Sequence, residues 1–143
     1  MITRLLVATL VGGIVMLILG YLVFGIALDS YMQANTMQYP GLLKKPPSFL
    51  LLGIAHLAFG GLLALVAEYW ARIRTFSGGA KVGALITFPL AVWTDFMTEA
   101  FMEIYIGAVP IVVDVVLATI LGAITGGIIG LVLGKMDKTT ENA

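Results

Sequence analysis

The chain has 143 residues, 60% of them hydrophobic and 11% charged, with 17 Gly, no Cys and a mean hydropathy of +1.06. A soluble domain of this size needs more surface charge, so the composition indicates a single membrane domain. Eight Lys and Arg balance eight Asp and Glu, which removes any whole-molecule case for nucleic acid, and the lack of Cys excludes disulfides, thiolate metal sites and thiol catalysis.

A bilayer core of about 30 Å is crossed by roughly 20 apolar residues in a helix. Four segments meet that length, and they are far longer than a barrel strand of about ten residues. The sequence therefore predicts an all-α, polytopic protein with four transmembrane helices over about 5–28, 49–70, 81–105 and 109–134. The first run is uncharged and exceeds a signal-peptide core, so it reads as a span. An outer loop follows over 29–48, with Pro40-Gly41 and Pro46-Pro47 as turn signals. The second segment contains His56 and ends at Glu68, Tyr69 and Trp70, an interfacial group. A short basic connection, Arg72 to Gly79, looks turn-like at Ser77-Gly78-Gly79. The third segment carries Pro89 in its interior and then meets Asp95, Glu99 and Glu103. A tight apolar hairpin leads to Pro110, which suits a first helical turn, and the fourth segment holds Asp114 near its start. A polar tail over 135–143 is expected to fray.

With the N-terminus inside, one side of the membrane collects Arg4, Arg72, Arg74, Lys81, Lys135 and Lys138, and the other only Lys44 and Lys45. The positive-inside rule then predicts an antiparallel bundle with both termini cytoplasmic.

Small residues recur at every fourth position. The fourth segment reads Asp114, Ala118, Gly122, Gly126, Gly130, Gly134; the third Gly79, Gly83, Thr87, Ala91, Asp95, Glu99, Glu103; the second His56, Gly60, Ala64, Glu68. Helices in lipid associate where small residues let backbones approach, so these rows predict interior faces of the glycine-zipper kind. The partner is either another helix of this chain or a second membrane protein, a homo-oligomer included.

Ionisable groups at membrane depth are functional candidates. In this topology His56, Asp95, Glu99, Glu103 and Asp114 all fall in the outer half, which suggests a proton or cation site. The acids at i, i+4 and i+8 repel one another, so at least one is expected to bind a proton or a cation. A divalent cation is compatible with a His and carboxylates, although the Glu-x-x-His pair of bundle metal centres is absent. No cofactor is predicted, and no nucleophile and base pair is visible, so a catalytic role ranks below transport and below a non-catalytic subunit docking through its glycine faces.

The stretch Gly20-Tyr21-Leu22-Val23-Phe24-Gly25-Ile26, the Lys81-Val82-Gly83-Ala84 start of the third segment, Val112-Val113-Asp114-Val115 and the run from Gly126 to Lys135 resemble a group of small bacterial four-helix integral membrane proteins. That group ordinarily has Trp where this chain has Tyr21. The resemblance implies a multi-pass protein of the bacterial inner membrane with acids at Asp95 and Asp114. It implies no reaction, because the group has no agreed activity.

Overall fold

The computed structural model describes residues 2–141, with side chains from Ile2 to Asp137. Its regular elements are helices: α1 (Ile2–Gly20), α2 (Asp29–Asn35), α3 (Phe49–Leu65), α4 (Phe76–Phe101) and α5 (Val109–Glu141). π-helical turns extend α1 over Tyr21–Ala27 and α3 over Val66–Trp70. Four of the resulting helices are long and apolar enough to cross a membrane.

Several ends differ from the sequence expectation. The outer loop expected over 29–48 opens with a helix, α2. The turn expected at Ser77-Gly78-Gly79 is instead the first turn of α4, because the Thr75 hydroxyl accepts a hydrogen bond from the Gly78 amide at 3.2 Å and caps the helix there. α4 ends at Phe101 rather than 105, and the backbone then runs extended at Met102. α5 continues to Glu141 in the tail expected to fray, of which 142–143 lie outside the described residues, and Asp137 within it is held by Arg4 and Arg74. Ser48 caps α3, while Pro110 occupies the first turn of α5 and Pro89 lies inside α4, both as expected.

α3 closes on a tight turn in which the Ile73 amide donates to the Ala67 carbonyl at 2.8 Å. Arg72 sits in this turn at φ 48°, a left-handed conformation that favours glycine after a helix end. A side chain there costs about 1 to 2 kcal/mol, so Arg72→Gly is expected to raise stability by roughly 1 kcal/mol in a detergent melt. An unchanged or lower melting temperature would count against that strain.

Outside a small apolar core, the buried side chains are mostly small or polar while many large apolar ones face outward, unlike a soluble domain. Ala8, Leu63, Ala64, Ala67, Ile129 and Leu133 form the core, where α1, α3 and α5 meet. Thr87, Thr125 and Asp95 are buried too, whereas Leu85, Trp93, Phe96 and Val112 are exposed. Such a surface is compatible with contact with a lipid bilayer.

Two seams carry the closest approaches. Along α4 and α5, a Cβ at Gly79 would strike the Gly126 carbonyl, one at Gly83 the Gly122 carbonyl, and one at Gly122 the Thr87 side chain. Gly130 and Gly134 lie against the Thr75 and Arg74 carbonyls. Partners descend along α5 as they ascend along α4. In the other seam, a Cβ at Gly60 would lie 2.5 Å from the Gly13 amide nitrogen. Gly12 meets Gly60 and also Ile129, so α1 lies between α3 and α5. The glycine rows expected to pack helices are thus filled by this chain's own backbone.

Candidate functional site

Asp95 is the most deeply placed of the candidate acids. It belongs to the same i+4 row of α4 as Gly83, Thr87 and Ala91, and that row faces α5, so the carboxyl is carried inward and is 6% exposed. Asp114, one turn into α5, meets it from the opposite helix, and the two carboxyls lie within hydrogen-bonding reach of each other. The Tyr105 hydroxyl donates to Asp95 Oδ1 at 3.3 Å. Asp95 Oδ2 is buried and receives no hydrogen bond from a donor among the described residues. Among those residues, no Lys, Arg or His makes an ion pair with Asp95 or Asp114.

Tyr105 is positioned by the hairpin between α4 and α5, where Gly107 adopts φ 83° and lets the chain reverse. Its amide donates to Glu99 Oε2 at 3.5 Å. The hairpin is pinned from outside by the segment after α2. The Met37 amide donates to the Ile104 carbonyl at 2.7 Å and the Ile106 amide to the Asn35 carbonyl at 2.9 Å, leaving Thr36 and Tyr105 paired as an isolated antiparallel bridge. Burial, and then the negative charge of Asp95, push the Tyr105 phenol above its ordinary pKa. It therefore remains a neutral O–H donor to the acid beside it.

The remaining sequence candidates separate from this group. Glu99 is half-buried and reaches it only through the Tyr105 backbone. Glu103 is exposed, and its carbonyl accepts a hydrogen bond from the Tyr39 hydroxyl at 3.0 Å. His56 lies in the seam between α1 and α3, where Nδ1 donates to the Leu52 carbonyl at 2.7 Å and Nε2 approaches Gly20. Among the described residues no three of His, Asp and Glu gather as a set able to hold a metal ion. Tyr105 is the member that sequence reading missed. Its signal was a single phenol in an apolar hairpin flanked by acid-bearing helices.

A second cluster, at the terminal end of the molecule, was also missed. Glu68, whose side chain is 5% exposed, lies 3.5 Å from the Arg4 guanidinium and 3.0 Å from that of Arg74, and Asp137 contacts both arginines. Two cations and two anions alternate, so each buried charge faces opposite charge. The quartet ties α1, the π turn after α3, the turn before α4 and the end of α5. In the sequence Arg4 and Arg74 served to set orientation, Asp137 lay in the tail expected to fray, and Glu68 both marked an interface and ended an interior row. The row His56, Gly60, Ala64, Glu68 predicted that Glu68 faces inward but not which charges meet it.

Compared with known protein families, with curated proteins and with solved structures, the chain matches none, so the reading of its site rests on its own residues.

Proposed function

We propose that the chain is an integral membrane protein of the bacterial inner membrane, an antiparallel four-helix bundle with both termini cytoplasmic. In its outer half, Asp95, Asp114 and Tyr105 hold and exchange a proton. The orientation rests on the six-to-two asymmetry of Lys and Arg between the two sides. The observation that carries the proton reading is the meeting of two carboxyls from different helices with one oxygen of Asp95 lacking a donor. Two carboxylates this close repel unless a proton or a cation lies between them. A proton suits the site better than a divalent cation, because hard cations take about six or more oxygen ligands and two carboxyls with one phenol supply too few. Docking through glycine faces as a membrane subunit is less well supported, since those faces are filled within the chain.

Carbodiimides react with protonated carboxyls, and lipid-soluble dicyclohexylcarbodiimide reaches those at membrane depth. The protein in liposomes is expected to form a covalent adduct at Asp95 or Asp114, located by peptide mass spectrometry, at a rate that falls as pH rises. Asp95→Asn and Asp114→Asn should each lose the adduct at the substituted position. Absence of any adduct at either residue from acid to neutral pH would overturn the proton reading.

A further inference from the structure

The end of the molecule that carries the acid pair also holds a cavity of about 560 Å³. It is a half-open space bordered by α2, the chain that follows it and the hairpin between α4 and α5. Asp29, Gln33 and Lys45 bring charged and amide groups to its lining, Met32 and Leu42 contribute apolar surface, and Tyr105 is part of the wall. A space of this size with polar groups on several sides has room for on the order of ten or more waters, each with partners.

Tyr105 belongs both to this cavity and to the acid pair. Its backbone is held in place by the pairing with Thr36 and by the bonds of Ile104 and Ile106 to the segment after α2, so the wall is a fixed layer of the fold. On its inner side the Tyr105 hydroxyl donates to Asp95 Oδ1, and beyond that lies the undonated Oδ2. Tyr105 thus touches both an open space with polar groups in its lining and a carboxyl that is 6% exposed.

We propose that this cavity is the aqueous vestibule from which the acid pair takes and releases its proton, with Tyr105 as the partition between them; this rests on the proton-holding reading of Asp95 and Asp114. Inward transfer balances without a charged tyrosine. A hydronium in the vestibule gives a proton to the phenol oxygen as the phenol's own proton passes along its hydrogen bond to Asp95 Oδ1. Water remains behind, the phenol is again neutral and Asp95 carries the proton; rotation of the phenol hydroxyl returns the tyrosine alone to its starting orientation. Release is the reverse.

The test uses two carbodiimides of different solubility on the full chain in liposomes, each with peptide mass spectrometry at Asp95 as readout. The natural chain has no Cys, so a single Gln38→Cys places one thiol on the cavity lining. Reaction with a bulky maleimide then obstructs the vestibule. Ala34→Cys, on exposed α2 surface outside the lining, carries the same adduct as a control. The expected result is that water-soluble carbodiimide with an amine nucleophile labels Asp95, that the adduct at Gln38→Cys lowers this labelling several-fold and that the one at Ala34→Cys leaves it unchanged. Labelling by the lipid-soluble reagent should be insensitive to either adduct. If the lipid-soluble reagent labels Asp95 but the aqueous one does not, or does so equally with the cavity plugged, the vestibule is overturned and the proton site stands. If neither reagent labels Asp95 or Asp114, the proton reading itself falls.

Discussion

Glu68→Ala is expected to lower the stability of the purified protein by about 3 kcal/mol, toward the lower end of the range for breaking a buried ion pair. Glu68 is nearly inaccessible and faces two guanidinium groups, so its removal leaves Arg4 and Arg74 partly buried with less than their full complement of negative charge. Asp137 still contacts both arginines, which moderates the loss. The measurement is unfolding in mixed detergent, with Tyr69→Ala, an exposed neighbour, as the reference. In the background of Arg74→Ala the cost of Glu68→Ala should shrink by about 1 kcal/mol or more, since the two side chains then no longer interact. Equal costs in both backgrounds would show that the quartet is not an energetic unit.

Gly83→Leu and Gly126→Leu are expected to cost more than about 3 kcal/mol, above the usual range for overpacking, because the first added atom already meets backbone. At Gly83 a Cβ would lie 3.2 Å from Ala123 Cα and closer still to the Gly122 carbonyl; at Gly126 it would lie 2.9 Å from Gly83 Cα. Neither obstacle is a side chain able to rotate away, so relief requires the helices to separate. Even Gly126→Ala should destabilise by about 1 to 3 kcal/mol. Gly53→Ala gives the opposite sign. Gly53 lies in α3 with nothing within 4 Å of the added carbon, and the lower conformational freedom of alanine should stabilise by about 0.5 to 1 kcal/mol. Wild-type unfolding of Gly126→Leu would place that face of α5 against lipid.

The amino-acid sequence by itself determined that the chain is helical and has four segments able to cross a membrane. Length and hydropathy suffice for that, because a helix is the structure in which a single apolar segment satisfies its own backbone. It also marked the faces that pack. In Gly79, Gly83, Thr87, Ala91, Asp95, Glu99 and Glu103 the i+4 period predicted the interior row of α4; the first five are buried, whereas Glu99 is half-buried and Glu103, beyond the helix end, is exposed. Periodicity assigns a residue to a face of its own helix and says nothing of which helix meets that face. Tertiary structure alone decided that Asp95 meets Asp114 while His56 packs against α1, although all three were expected in the same half of the bundle. It decided that Glu68 faces Arg4 from the start of α1 as well as the nearby Arg74, and that the hairpin carrying Tyr105 is pinned through Ile104 and Ile106 by Met37 and Asn35, from which α3 and α4 separate it in the chain. Helix ends were likewise settled by particular bonds, the Thr75 cap for α4 and the hold of Arg4 and Arg74 on Asp137 for α5, which act across space or through local geometry that hydropathy does not encode.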